Sequence, residues 1–419
     1  MYKNRIIEKT ITNIKNEYPV ITIYGARQVG KSTMNNYLFA DFNYVSLDKF
    51  ENKNLALTNP RLFLETFTWP LVIDEIQKAP ILLDEIKDVV DEEKKRCIKN
   101  DSNVPLMYVL TGSNQFELKR VVSESLSGRT AIFNMSSLSN AEINNIDGDL
   151  FDPNIDILKE KYKKIDINNL YKSRKDIFVN IFNGGMPDYI INHKSRETYF
   201  SSYIDTYIDR DIRGTISIDK EREFRNFLQI MALRTAQQIN YDDISRSVGI
   251  DSRTVKSWIS LLVTSGIAIT LESYAKNLSD RVTKMEKFYF LDTGLCSFLC
   301  KWQSPEMLEN GIMNGAIYET YVISEIVKSY INAGINFEGK FFYYRDRDNK
   351  EADFIIEYAD SITPIEIKKG INPLSSNFNF NYLKKYNKSL NKGIVIDSRK
   401  DIFPLNEEVS YCPIFMIGL

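Results

Sequence analysis

The sequence predicts an α/β protein whose N-terminal part is a parallel β-sheet. Apolar, β-branched stretches at residues 20–24, 42–48, 70–73 and 106–110 have the length and composition of buried strands. Residues 32–39, which follow the first stretch, have the pattern of a helix, and strands that alternate with helices form parallel sheets. We therefore expect the polar residues that end these strands to meet at the carboxyl edge of the sheet.

The composition of the 419-residue chain is that of an ordinary globular protein, with 43% hydrophobic residues, 26% charged residues and a formal net charge of −2. This charge balance does not mark a nucleic-acid-binding protein. The single histidine, His193, and four scattered cysteines argue against a His-based zinc site, a Ser-His triad or a disulfide framework. Without an apolar run of about 18 residues or a signal-peptide core, we expect a cytoplasmic protein with no membrane partner.

The clearest motif follows the first predicted strand, where the chain has the pattern G-x-x-x-x-G-K-S. Between a strand and a helix, this pattern predicts a phosphate-binding loop, or P-loop. The glycines let backbone N–H groups point at a polyphosphate, and the positive end of the helix adds to the attraction. Lys31 is expected to reach the β- and γ-phosphates, and the Ser32 hydroxyl to ligate Mg²⁺. The predicted nucleotide-contacting residues of the loop are Gly25, Ala26, Arg27, Gln28, Val29, Gly30, Lys31, Ser32 and Thr33.

A second motif is the acid pair Asp74 and Glu75 at the end of the strand near residue 70. A buried parallel strand would place Asp74 beside the loop, where it can hold Mg²⁺ directly or through water. Glu75 would orient or deprotonate the attacking water. The other interpretation of this pair is a cap at the N-terminus of a helix.

Three further residues are candidates for contact with the γ-phosphate. Ser113 or Asn114, at the end of the strand near residue 110, would sense the γ-phosphate or place the water. Arg129 is a candidate for the arginine that stabilises the transition state, in its own subunit or in a neighbour. A solvated surface arginine is the alternative for Arg129.

The motifs GARQVGKST, LVIDEIQKAP, VLTGSNQ and LSGR, in this order, resemble those of prokaryotic AAA-type ATPases that end in a C-terminal domain of unknown function. The resemblance covers nearly the whole chain. It extends to Gly185-Met186-Pro187, matching a Gly-x-Pro near the helical lid, and to the Tyr-x-x-x-Asp segment at residues 207–211. The resemblance implies that Pro187 lies near the base and sugar of the nucleotide.

A helix-turn-helix pattern occupies residues 239–265, with the turn at Gly249 and a cap at Asp251. Two predicted strands, residues 267–271 and 287–290, would complete a winged helix. A recognition helix needs polar side chains at its start. The residues that meet this need are Ser252, Arg253, Thr254 and Lys256. Winged helices in AAA-type chains also serve as packing or oligomerisation modules, so both roles remain open.

The C-terminal part carries Asp353 and then Glu366-x-Lys368, the constellation of PD-(D/E)xK nucleases. Strand alternation puts Glu366 and Lys368 on one face, and Asp353 on a facing strand would complete a carboxylate pair able to hold Mg²⁺. Glu319, on a preceding helix, is the candidate third acid. Edge strands with solvated charges would give a similar pattern, and such a domain can serve only to bind DNA or protein.

The sequence thus predicts a P-loop NTPase sheet at residues 1–180, a helical lid at 181–225, a winged helix at 226–290 and a restriction-endonuclease-like α/β domain at 291–419. The predicted function is Mg²⁺-dependent ATP hydrolysis coupled to DNA binding or processing, by a homo-oligomer. The alternative is a switch in which ATP sets oligomerisation with protein partners while the nuclease-like domain is inactive.

Overall fold

The structure, a computed structural model, describes residues 2–113, 118, 121–122, 124–207, 220–275, 281, 284–371, 378–386 and 388–419. It divides the chain into two compact units. Unit 1 comprises Met1–Leu138 with Thr264–Gly266 and Ile331–Gly334, and unit 2 comprises Ser139–Val263, Ile267–Tyr330 and Ile335–Leu419. The finer division into four domains stays a prediction.

Unit 1 alternates strands and helices. Its strands are β1 (Val20–Tyr24), β2 (Asn43–Ser46), β3 (Leu71–Asp74), β4 (Tyr108–Gly112) and β5 (Thr130–Asn134), and its helices are α1 (Ile7–Ile14), α2 (Lys31–Leu38), α3 (Phe50–Thr58), α4 (Pro60–Thr66) and α5 (Leu82–Lys99). All residues of β1, β3 and β4 are buried, because helices cover both faces of a parallel sheet.

The five strands form a parallel sheet in the order β2-β3-β4-β1-β5, which confirms the predicted α/β fold class. One core cluster, containing Leu71, Ile73 and Leu110, packs on one side of the sheet. A second cluster contains Ile21, Ile23 and Val109. Since β1, β4 and β3 are neighbours and parallel, the segments that follow them leave the sheet at one edge.

Unit 2 contains the remaining described helices. They are α6 (Asn140–Ile143), α7 (Ile155–Lys164), α8 (Ile167–Leu170), α9 (Arg174–Asn183), α10 (Pro187–Ile191), α11 (Arg196–Tyr207), α12 (Glu221–Leu233), α13 (Tyr241–Val248), α14 (Ser252–Thr264), α15 (Thr293–Leu299), α16 (Pro305–Asn310) and α17 (Asn314–Asn332). Across the described ranges, no helix is long and apolar enough to cross a membrane.

The strands of unit 2 join in one ten-stranded sheet. They are β6 (Gln237–Gln238), β7 (Ala268–Ser273), β8 (Lys287–Phe290), β9 (Phe341–Arg345), β10 (Glu351–Glu357), β11 (Ser361–Ile367), β12 (Ser389–Leu390), β13 (Gly393–Asp397), β14 (Phe403–Pro404) and β15 (Val409–Pro413). Their order is β14-β15-β13-β11-β10-β9-β7-β8-β6, with β12 beside β11. The β7–β8 hairpin therefore continues the C-terminal sheet, because β7 pairs with β9.

The turn between α13 and α14 has the predicted form. Gly249 ends α13 with a φ of 83°, in the left-handed region that favours glycine. The Asp251 carboxylate then accepts a hydrogen bond from the Thr254 backbone N–H at 2.9 Å and caps α14. Inside this helical layer Trp258 packs edge-on against Phe224 and Phe227. The two helices are thus fixed by a local turn and by aromatic packing.

We predict that Gly249→Ala lowers the free energy of unfolding by about 1–2 kcal/mol, because an alanine Cβ makes the left-handed conformation unfavourable. Space is not the cause, since a Cβ at this position meets nothing within 4 Å. Gly315→Ala is the matched control: its Cβ also meets nothing, but it lies in α17, so we expect no loss of stability. Urea denaturation followed by tryptophan fluorescence measures both, and equal effects would contradict the conformational explanation.

Candidate functional site

The predicted P-loop connects β1 to α2 and has the conformation that its glycines allow. Gly30 has a φ of 98° and Gln28 a φ of 58°, both in the left-handed region. A Cβ on Gly25 would lie 2.1 Å from the Met135 carbonyl oxygen, so no other residue fits there without displacement of the backbone. The loop therefore closes at the N-terminus of α2, where backbone N–H groups are available to an anion.

Lys31 lies within the loop itself. Its buried ammonium donates hydrogen bonds to the carbonyl oxygens of Gly25 and Ala26, both at 2.8 Å. Both acceptors are neutral, whereas a phosphate oxygen is charged and would be the stronger partner. The lysine is thus held at the loop in a position from which it can bind a polyphosphate.

Asp74 is the centre of a hydrogen-bond network at the carboxyl end of β3. One carboxylate oxygen, Oδ2, accepts from Ser32 Oγ at 2.9 Å and from the Tyr44 hydroxyl at 2.8 Å, and Oδ1 accepts from Thr111 Oγ1. Burial and the charge of Asp74 raise the pKa of Tyr44, so the phenol stays protonated as a donor. The structure thus brings the predicted Mg²⁺ ligands together.

The chemistry of these groups fits Mg²⁺, which prefers oxygen ligands and is commonly held by one or two carboxylates together with substrate phosphates. Ser32 and Asp74 supply a hydroxyl and a carboxylate at the mouth of the loop. All three hydrogen-bond donors to Asp74 are neutral hydroxyls, so its negative charge is not cancelled by a cation of the protein.

Glu75 follows Asp74 in a left-handed conformation, with a φ of 59°. This conformation is uncommon for a residue other than glycine and often marks a functional site. The Glu75 carboxylate accepts from Ser113 Oγ at 3.2 Å and from Gln77 Nε2. The predicted pair of Glu75 and Ser113 is therefore adjacent, while Asn114 lies outside the residues that the structure describes.

Arg5 is a site residue that the sequence did not reveal. Its buried guanidinium donates from Nη1 to the Val29 carbonyl and from Nη2 to the Ser136 carbonyl, both at 2.8 Å. Arg5 therefore ties the P-loop to the segment after β5. Tyr44 and Thr111 were also missed. Only Thr111 had a sequence signal, as a polar residue near the end of an apolar strand.

Arg129 lies at the edge of the sheet away from the P-loop. Its carbonyl accepts from the Val20 backbone N–H, at the first residue of β1, and the loop begins only after the last. Since β1 has five residues, the separation is roughly 16 Å along the strand. A catalytic role for Arg129 within its own subunit is therefore wrong, and action on a neighbour stays a prediction.

The Arg129 guanidinium instead pairs with Asp91 of α5, through two hydrogen bonds of 2.7 Å. This pair raises the pKa of Arg129 and lowers the pKa of Asp91. In unit 2, Pro187 is the first residue of α10. Its predicted position beside a nucleotide is not tested by this placement and stays a prediction.

The predicted nuclease residues do come together in unit 2. Lys368 Nζ lies 2.5 Å from Glu366 Oε1, and the buried Asp353 carboxylate accepts from the Ile367 backbone N–H at 2.8 Å. Burial and the Asp353 charge raise the pKa of Glu366 to about 7 and that of Glu319 to about 8. We call the four acids of this region, Glu319, Glu351, Asp353 and Glu366, the acid cluster.

A lysine that the sequence did not indicate lies inside the acid cluster. Lys287 of β8 places Nζ 3.2 Å from Glu319 Oε1 and 2.9 Å from Glu351 Oε1. Burial by itself lowers the pKa of this lysine, but the charges of Glu319, Asp353 and Glu351 outweigh that effect and raise its pKa above the usual value.

The acid cluster does not fit the predicted nuclease Mg²⁺. Among the residues that the structure describes, no group of three or more His, Cys, Asp or Glu side chains could hold a metal ion. The protein's own ammonium already contacts two of the acids, and two adjacent cations repel each other. A cation site at Asp353 and Glu366 with Glu319 and Lys368 is therefore not formed in this structure.

Comparison with family models identifies three segments. Residues 17–144 match an AAA domain, residues 174–306 match a domain of unknown function (DUF8612), and residues 314–417 match another (DUF4143). The first match covers the P-loop, Asp74 and Glu75. It supports an AAA-type, ATP-binding P-loop ATPase domain in unit 1, which is the coarser part of the sequence prediction.

Two curated relatives are similar over most of the chain. They are the uncharacterized proteins Mb2031c of Mycobacterium bovis and Rv2008c of Mycobacterium tuberculosis, each 22% identical over 359 residues, which is 85% of this chain and 71% of the relative. Solved structures to which the chain is similar include the Walker-type ATPase paby2304 of Pyrococcus abyssi, with 13% identity, 70% of this chain and 94% of that chain covered, and a TM-score of 0.39. A mutant of RuvB from Thermotoga maritima has 15% identity, covers 63% of this chain and 87% of its own, and has a TM-score of 0.27.

We predict that Arg5→Met weakens ATP binding about tenfold and lowers the free energy of unfolding by about 2–4 kcal/mol, because two buried carbonyl groups lose their donors. Isothermal titration with ATP and urea denaturation measure the two effects. Arg61→Met is the control, since Arg61 is exposed and paired only along its own helix with Glu65. If both variants bind ATP equally well, Arg5 does not support the loop.

We also predict that Arg129→Ala and Asp91→Ala each cost at most about 1 kcal/mol of stability and change ATP turnover less than threefold, because the pair is partly exposed and distant from the P-loop. Turnover is measured at protein concentrations that span assembly. A loss of about 10³ in Arg129→Ala alone would show that the arginine acts on a neighbouring subunit.

Proposed function

We propose that unit 1 hydrolyses ATP in a Mg²⁺-dependent reaction. The observation that carries this proposal is the contact of Ser32 with Asp74 at the mouth of the P-loop, beside Glu75. Lys31 binds the β- and γ-phosphates, while Ser32 and Asp74 hold Mg²⁺. Bound Mg²⁺ supplies positive charge to the phosphate oxygens.

In this proposal Glu75 orients the attacking water and accepts its proton. Ser113 keeps the carboxylate in place through the 3.2 Å hydrogen bond to Oε2. Gln77 donates to the same oxygen, so Oε1 is the carboxylate oxygen better placed to receive a proton from water. Asn114 is the predicted second sensor of the γ-phosphate.

We propose DNA as the partner to which ATP hydrolysis is coupled. Arg253 and Lys256 are exposed in the first turns of α14, where a recognition helix would carry its base-contacting side chains. The order of α12 to α14 and of β6 to β8 supports the winged-helix interpretation of this part. A cytoplasmic homo-oligomer, in which adjacent subunits share nucleotide contacts, belongs to the same proposal.

A second candidate function is a switch in which ATP sets oligomerisation or contact with a protein partner. The observation that favours it is Lys287, whose buried ammonium contacts the acid cluster where a nuclease would hold metal. In this candidate the nuclease-like part is inactive and serves as a binding module. To invert a 1:99 population, ATP must bind one state more tightly by about 5.5 kcal/mol.

The test is steady-state ATP hydrolysis with Mg²⁺, with and without single- and double-stranded DNA. We expect Lys31→Ala to lose ATP binding, and Glu75→Gln to retain binding while turnover falls about 100-fold or more. Glu65→Gln, an exposed carboxylate on α4, is the matched control and should behave as the wild type. Normal turnover in Glu75→Gln would reject the proposed role of Glu75.

The DNA arm separates the two candidate functions. Arg253→Ala with Lys256→Ala should weaken DNA binding and abolish DNA stimulation, whereas Lys384→Ala, an exposed lysine elsewhere in unit 2, should not. If DNA neither binds nor changes turnover, coupling to DNA is rejected. A change of mass with ATP would then support the switch, and an unchanged mass would argue against it.

A further inference from the structure

Lys287 is one of the most buried charged side chains of unit 2, and it points into the acid cluster. Only 5% of its side chain is exposed, and its ammonium contacts Glu319 and Glu351 at 3.2 and 2.9 Å. Tyr289, two residues along β8 and so on the same face of the strand, donates its hydroxyl to Glu319 Oε1 at 2.7 Å. Two side chains of one strand therefore satisfy the acid that the helix α17 contributes.

Charges in this region are largely balanced by the protein itself. Lys368 pairs with Glu366 from the other side of the cluster, and the Asp353 carboxylate accepts a backbone N–H from Ile367. Each acid thus has a partner from the chain, and Glu319 and Glu351 share the same ammonium. Mg²⁺ binds oxygen ligands at about 2.0–2.1 Å, and an ion on Glu319 would lie next to the Lys287 ammonium. Repulsion between these cations disfavours metal binding.

We propose that Lys287 is the resident cation of the acid cluster and takes the position that a divalent metal ion would occupy in a nuclease. Unit 2 is in consequence a metal-independent module in which β8, α17 and β10 are joined by one ionic network. This inference does not depend on ATP hydrolysis in unit 1. It gives the second candidate function a structural basis, because DNA cleavage by this cluster would require a metal ion.

The proposal makes Lys287 the reason why the cluster binds no cation. Lys287→Met removes the charge but keeps a long, flexible, apolar side chain, so the acids lose their shared partner without a large cavity. Their remaining ways to compensate are protonation and the binding of an external cation. We therefore expect the variant to gain a divalent-cation site that the wild type lacks.

The experiment counts bound Mn²⁺ per chain from the electron paramagnetic resonance signal of unbound Mn²⁺. Every protein carries Ser32→Ala and Asp74→Asn, so that the P-loop contributes no site. We expect no saturable Mn²⁺ binding without further change, and one site in Lys287→Met with at least tenfold higher affinity. Adding Asp353→Asn to Lys287→Met should remove that site.

Two controls keep the outcome interpretable. Lys328→Met removes another buried lysine, paired with Glu325 in α17 outside the cluster, and should create no Mn²⁺ site. Lys287→Arg keeps the positive charge and should also create none. Circular dichroism confirms that each variant is folded.

Three results would overturn the proposal. The first is saturable Mn²⁺ binding with Lys287 intact that is lost on Asp353→Asn, a result that needs no Lys287 variant. The second is a folded Lys287→Met protein without a Mn²⁺ site. The third is Mg²⁺-dependent cutting of supercoiled DNA by the wild-type chain that Asp353→Asn abolishes.

Discussion

The carboxyl edge of the parallel sheet in unit 1 is the constraint on which the candidate ATP site depends. β1, β4 and β3 lie side by side and run in the same direction, so the P-loop, Thr111 and Asp74 emerge together. The hydrogen bond from Ser32 to Asp74 spans 42 residues of sequence, and the bond from Thr111 to Asp74 spans 37. A register shift of one residue would turn Asp74 to the other face of the sheet and separate these groups.

The loop at this edge is shaped by backbone freedom and by one buried charge. Gly25 comes so close to the Met135 carbonyl that only glycine fits, and Gly30 supplies the left-handed turn before α2. Arg5 then joins the Val29 and Ser136 carbonyls from a position outside both segments. Since Arg5 precedes α1, the conformation of the P-loop depends on a residue some twenty positions before it.

The two units treat buried acids in opposite ways. Asp74 is surrounded by the neutral hydroxyl groups of Ser32, Tyr44 and Thr111, which hold the carboxylate in place but leave its charge available to a cation. Glu319 of unit 2 is contacted by an ammonium, from Lys287, as well as by the Tyr289 hydroxyl. The same kind of acid therefore supports a cation site in one unit and an internal ion pair in the other, and the difference lies in the charge of the donor.

The sequence by itself determined the parts that follow local rules: the strands and P-loop of unit 1, the acids that end β3, the Gly249 turn, and the strand positions of Asp353, Glu366 and Lys368. Alternation and glycine placement act over a few residues, so they can be recognised in a single chain. Tertiary structure alone decided that Arg5 contacts the loop, that Arg129 lies at the opposite edge of the sheet, that β7 joins the C-terminal sheet and that Lys287 enters the acid cluster. These contacts depend on strand order and register between distant segments, and no local pattern encodes them.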